Sequence, residues 1–161
     1  MRLRRVLLAA LAGLAACSTG VADKPGGAGQ EAVAVHAESG LAVIGLTVTT
    51  RGKPYPFRVE LAKSRFEQAK GLMFRAKLGP DEGMLFPMDP PREASFWMRN
   101  TVIALDLVFI GPDRRVLNIA ANAVPYDETP LKSAGPAGAV LELAGGRAAE
   151  LGIATGDRVD W

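Results

Sequence analysis

Asp106 and Glu142 stand out because each interrupts an apolar run. In Ala104-Leu105-Asp106-Leu107-Val108-Phe109-Ile110 and in Val140-Leu141-Glu142-Leu143, both alternating faces are apolar. That is the pattern of a strand covered on both sides. A carboxylate in such a strand is costly unless it finds partners or meets water. Arg99 and Asn100 lie in the turn just before the Asp106 strand and could reach its near end, and Trp97 stands beside them. Two readings follow. One is a ligand-binding cluster of Trp97, Arg99, Asn100, Asp106 and Glu142 at one mouth of the domain. The plainer one has Asp106 and Asn100 fastening backbone amides in a tight turn, with Arg99 as a buried partner. Two acids beside an aromatic would also suit hydrolysis of cell-wall glycans, provided that the two carboxyls meet in space.

Trp97 adjoins Phe96, so on a strand the two point to opposite faces. A tryptophan in a small domain is ordinarily a large core residue; exposed, it would offer a flat platform for a sugar ring. Met73, Met84, Met88 and Met98 fall within a short stretch. Thioethers suit Cu(I), yet methionine is also a common gap-filler in cores. His36 is the only histidine and precedes the domain, which leaves no His-based triad and no His-ligated zinc. No glycine-rich phosphate-binding loop is read between a strand and a helix. Neither a cofactor nor a metal is expected.

The remaining reactive residue is Cys17, the only cysteine of the 161-residue chain. Arg2, Arg4 and Arg5 precede an apolar stretch, residues 6–14, that is too short to span a bilayer. Leu14-Ala15-Ala16-Cys17 then resembles the bacterial lipobox, in which the cysteine sulfur takes a diacylglyceryl group before cleavage. On this reading residues 1–16 are a lipoprotein signal peptide and Cys17 is the lipidated N-terminus of an exported protein, held in the envelope and facing the periplasm. Ser18 after the cysteine resembles lipoproteins passed to an outer membrane. Loss of the three arginines turns 19 basic against 17 acidic residues into 16 against 17, a net charge of −1. No basic surface for nucleic acid survives that subtraction. The domain also loses any disulfide or thiol chemistry.

Residues 17–40 are rich in glycine, alanine and small polar groups and read as a flexible tether. Residues 41–161 are enough for one hydrophobic core. Leu46-Thr47-Val48-Thr49-Thr50 and Phe57-Arg58-Val59-Glu60-Leu61 alternate around Gly52-Lys53-Pro54, a hairpin signal. Ser64 and Glu67 have capping-box spacing, and Phe66, Ala69 and Met73 recur at helical intervals, so a short helix is expected over residues 64–71. Further strands are expected at 84–88, 95–98, 104–110, 115–120 and 139–144, separated by proline and glycine clusters. A helical turn over 146–151 leads through Gly156-Asp157 to a last strand. Such an order predicts a mainly β domain, a β-sandwich or partly closed β-barrel with two short helices.

Lys70-Gly71-Leu72-Met73-Phe74-Arg75, Gly83-Met84-Leu85-Phe86 and Phe96-Trp97-Met98-Arg99-Asn100-Thr101 occur in that order. Ile103-Ala104-Leu105-Asp106, Val140-Leu141-Glu142-Leu143, Gly145 and Gly156-Asp157 continue the series. Together these blocks resemble the bacterial and archaeal domain of unknown function 192. Ala104 stands where that family usually has proline, and Lys70 where it often has arginine. The resemblance implies a compact, mainly β fold and no established activity. The sequence therefore points to a non-enzymatic envelope module, anchored to the membrane through Cys17. Its expected partner is a small polar ligand, a glycan or an envelope protein. Glycan hydrolysis through Asp106 and Glu142, or Cu(I) binding by methionines, are the alternatives.

Overall fold

The computed structural model describes residues 34–161; Cys17, the expected signal and most of the expected tether lie outside them. Seven strands follow in chain order: β1 Val43–Thr50, β2 Lys53–Leu61, β3 Glu82–Phe96, β4 Leu105–Ile110, β5 Val116–Ala123, β6 Leu131–Ala144 and β7 Arg158–Asp160. Helix α1, Arg65–Lys70, separates β2 from β3, and α2, Arg147–Leu151, separates β6 from β7. All seven strands form one sheet in the order β5-β4-β6-β3-β2-β1-β7. Its two edges approach each other where Arg115 bridges Arg158. There the Val116 amide donates to the Asp157 carbonyl at 2.9 Å, and the Val159 amide to the Arg114 carbonyl, also at 2.9 Å. The sheet is thus a curled, partly closed barrel, and the two-sheet sandwich alternative falls away.

Only β2 and β3 run parallel. A parallel pair needs a crossover of a dozen residues or more, and the chain from Ala62 to Asp81, carrying α1, is that crossover. Ser64 caps α1 as its spacing predicts: its hydroxyl accepts from the Glu67 amide at 3.2 Å, and the Glu67 carboxylate accepts from the Ser64 amide at 2.7 Å. The apolar spacing on this helix misleads, because Phe66 is 78% exposed and no residue of α1 is buried. Gln68 holds the helix instead. Its side-chain amide donates to the Ala62 carbonyl at 3.1 Å and the Pro87 carbonyl at 2.8 Å.

The two faces of the sheet bury separate clusters. One gathers side chains from every strand, among them Val48, Val59, Leu85, Val108, Leu141 and Val159, and fills the barrel interior. The other includes Met84, Phe86, Leu107, Phe109 and Val140 on the outer face of β3, β4 and β6. Leu72 from the crossover and Met98 from the segment after β3 pack over it. Covering on both sides explains why all six residues of β4 are buried. The β3–β6 ladder is close: a Cβ on Gly83 would stand 2.6 Å from the Glu142 carbonyl oxygen, so only glycine fits there.

Residues 34–40, the last part of the expected tether, are placed against the domain. Val35 pairs with Ala42, and the His36 amide donates to the Leu41 carbonyl at 2.8 Å. The segment is fastened to the domain by polar contacts. Ser39 donates its hydroxyl to Glu60, and Glu38 meets the Arg75 guanidinium at 3.2 Å.

Candidate functional site

Asp106 is fully buried and points into the barrel interior, alongside Val108 and Ile110. One carboxylate oxygen accepts from the Asn122 amide at 2.8 Å and the Gly146 amide at 3.0 Å. The other accepts from the Ala148 amide at 2.7 Å. This carboxylate therefore ties the start of α2 to the end of β5. It is the amide-fastening role, and it leaves Asp106 outside any ligand cluster.

Glu142 behaves differently. It pairs in register with Leu107 on β4 and Met84 on β3, so its side chain emerges on the outer face, on the side opposite Asp106. Only 5% of the residue is exposed. No side chain or backbone amide bonds to its carboxyl among the described residues, and burial pushes its pKa up to about 8. The carboxyl opens instead into a cleft of about 300 Å³. Because the two acids face opposite ways, the paired-carboxylate arrangement for glycan hydrolysis is not formed.

The crossover makes one wall of this cleft through Gln68, Lys70 and Met73, and β3 makes the other through Phe86, Met88 and Phe96. Phe86 and Phe96 meet edge to face with centroids 5.1 Å apart, an arrangement that holds rings in fixed positions. Trp97 lies at the mouth. Far from being core, it is 49% exposed. Arg99 lies over its ring at 4.3 Å and pairs with Glu128 at 2.6 Å. Arg99 is thus an exposed rim residue and not the buried partner that the turn reading anticipates.

Asn100 does not line the cleft but braces its wall. Its φ of +55° is a conformation that asparagine tolerates better than most residues. Its carbonyl accepts from the Phe74 amide at 2.8 Å, and its side-chain amide approaches the Met73 sulfur at 3.8 Å. Of the candidates, then, Trp97, Arg99 and Glu142 share one site, Asn100 supports it, and Asp106 belongs elsewhere. Among the methionines, Met84, Met88 and Met98 are packed in the outer cluster, and Met73 and Met88 line the cleft. No group of three His, Cys, Asp or Glu side chains suited to a metal occurs among the described residues.

Lys70 and Arg92 also reach the cleft, and among the described residues its only acidic lining residue is Glu142. Charged residues next to turns carry no distinguishing pattern, so their meeting at one cleft is not read from the sequence. A second polar cluster escapes sequence reasoning altogether: Arg75 donates from both guanidinium NH2 groups to the two Glu60 carboxylate oxygens, at 2.7 and 3.1 Å, and both residues are buried. Burial pushes the Glu60 carboxyl up, but bonds from Arg75 and Ser39 and the charges of Arg75 and His36 outweigh it and hold the pKa below the ordinary value.

Comparison with known proteins adds the following. The DUF192 family, described as uncharacterized ACR, matches residues 46–161. A solved structure from Novosphingobium aromaticivorans, a protein of unknown function, is 61% identical, with 82% of this chain and 94% of that chain covered and a TM-score of 0.79. Another, from Sinorhizobium meliloti and described as a candidate transcription regulator, is 37% identical, with 74% and 94% covered and a TM-score of 0.73. A search of curated proteins gives no match.

Proposed function

The chain belongs to the DUF192 family, and on that premise we propose that its domain is a non-enzymatic binding module whose cleft takes a small polar ligand. One observation carries this reading: the Glu142 carboxyl, almost wholly buried and without a protein partner, opens into the cleft. With no bond from the described protein groups, this carboxyl depends for its partners on solvent reaching it through the cleft, and a ligand that bonds to it takes that solvent's place. The lining suits such a role, with fixed aromatic rings and methionines for an apolar body and a few polar groups for orientation. Its size favours a small molecule over an extended glycan.

Catalysis has weaker support. Glycoside hydrolysis needs a second carboxyl facing the first, and among the described residues Glu142 is the only acid lining the cleft. The regulator description of the Sinorhizobium meliloti protein is not extended to this chain, whose charge after loss of the signal is −1. We place the domain outside the cytoplasmic membrane, anchored by lipid at Cys17 and facing the periplasm. The support for that location is the lipobox-like Leu14-Ala15-Ala16-Cys17 and the arginines before it.

The test of the binding reading is a small-molecule screen of the full chain by NMR, followed at the Trp97 indole. Compounds that shift this signal in the native chain, and no longer do so in Glu142→Leu, are the expected result. Ligands whose binding ignores that substitution would place the site elsewhere.

A further inference from the structure

From the placement of charge around the cleft, we infer that its ligand is a small organic carboxylate whose anionic head lies at the rim between Lys70 and Arg92 and whose other end presents a hydrogen-bond acceptor to Glu142. This rests on the cleft being a ligand site, and names the class of molecule it takes.

The charges are unevenly distributed. Lys70, Arg92 and Arg99 stand at the mouth, each exposed. Arg99 is already paired with Glu128, but among the described residues Lys70 and Arg92 form no ion pair. Two cations beside one opening, neither paired with an acid among the described residues, favour an anion there. Arginine also offers a planar fork matched to a carboxylate. Deeper in, the side chains become apolar: Phe86, Phe96 and Met88 leave room for a short hydrocarbon body. The floor ends at Glu142, whose carboxyl is neutral near pH 7 because burial raises its pKa to about 8. A neutral carboxyl donates its proton in a hydrogen bond, so it seeks an oxygen acceptor such as a carbonyl or hydroxyl. A cationic head at this depth would require that carboxyl to ionise first, and would leave Lys70 and Arg92 opposing its entry.

Titration of the full chain by NMR with four five-carbon probes tests this inference. Valerate carries the anionic head alone, levulinate adds an inner carbonyl, and pentylamine and pentanol replace the head with a cation and a neutral hydroxyl. Both carboxylates should shift the Trp97 indole signal and bind about tenfold or more tighter than the amine and the alcohol. Levulinate should bind tighter than valerate to the native chain and no tighter to Glu142→Leu. The exposed-residue double variant Lys70→Ser, Arg92→Ser should weaken both carboxylates by about tenfold or more while leaving pentanol unchanged. Pentanol or pentylamine binding as well as valerate would overturn the carboxylate inference and leave the cleft a ligand site. Four silent probes at saturating concentration would remove the site itself.

Discussion

Asp106 and Glu142 lie one register position apart on neighbouring strands and face opposite sides of the same sheet. Asp106 pairs with Leu143 and looks into the barrel; Glu142 pairs with Leu107 and looks out into the cleft. In sequence the two acids look alike, each alone in an apolar strand. Their environments differ in kind, since three backbone amides satisfy one and no group among the described residues bonds to the other. Their substitutions should therefore differ in sign.

For Glu142 the sign follows from proton linkage. Its folded pKa is raised from 4.5 to about 8, so between these values the folded state holds a proton that the unfolded state has lost. Stability is then full below pH 4.5 and falls as pH rises through 8. The whole loss is roughly 3–5 kcal/mol. Glu142→Gln should flatten this decline and make the protein more stable than the native chain at pH 9. Thermal unfolding of both proteins across pH 4–9 would show it, and parallel curves would mean that the carboxyl is solvated in the folded state.

Asp106→Ala should act the other way. It leaves the amides of Asn122, Gly146 and Ala148 without their acceptor, and orphaned buried donors are expensive. A loss of about 3–5 kcal/mol is expected by urea unfolding. Asp106→Asn, which keeps one acceptor oxygen, should recover part of it. Binding at the cleft by the folded fraction should be unchanged, because the residue faces the other side of the sheet.

Gly83 shows why a residue can be essential with no function of its own. It stands opposite Leu143 on the β3–β6 ladder, and an added Cβ would meet the Glu142 carbonyl oxygen at 2.6 Å. Because the obstacle is backbone, relief requires the ladder to part. Gly83→Ala should cost about 1–3 kcal/mol and shift the amide resonance of Glu142. A folded variant of native stability with an unmoved Glu142 signal would contradict this contact.

These cases mark what the sequence makes legible. Alternation and turn residues reveal the hairpin, the capping box at Ser64 and the central strand carrying Asp106, since each is a local pattern. The site is less legible because crossover packing is not local. In Phe57-Arg58-Val59-Glu60-Leu61, alternation puts Glu60 on a solvated face, yet the segment that returns the chain to β3 covers that face and brings Arg75 onto it. Phe66 fails in the opposite sense, its helical spacing promising a burial that Gln68 makes unnecessary. The cleft itself needs Lys70, Arg92 and Glu142 from three separate elements, and no spacing in one chain announces that meeting.

The Glu60–Arg75 pair gives a prediction from this covered face. Arg75→Met leaves a buried carboxylate with its main partner gone and should cost about 3–5 kcal/mol. Adding Glu60→Gln should restore much of it, so the double variant should be more stable than Arg75→Met alone. The pH response runs opposite to that of Glu142. Glu60 is held below the ordinary carboxylate value, so its stabilisation is present above that value and is lost as pH falls through the folded one. Acid unfolding should therefore become less steep in the double variant; equal steepness would mean that other carboxylates govern it.

The last prediction concerns location, and its argument is chemical. Lipidation needs a thiol, and Cys17 is the only one in the chain. Serine is nearly isosteric but has no sulfur to accept the diacylglyceryl group. A signal whose cleavage waits on that group should then remain attached. Cys17→Ser should accordingly abolish incorporation of labelled fatty acid and retain residues 1–16. Mass spectrometry of the native chain should instead find an acylated N-terminus at Cys17. Normal cleavage of the serine variant without any lipid on the native chain would mark residues 1–16 as an ordinary secretory signal.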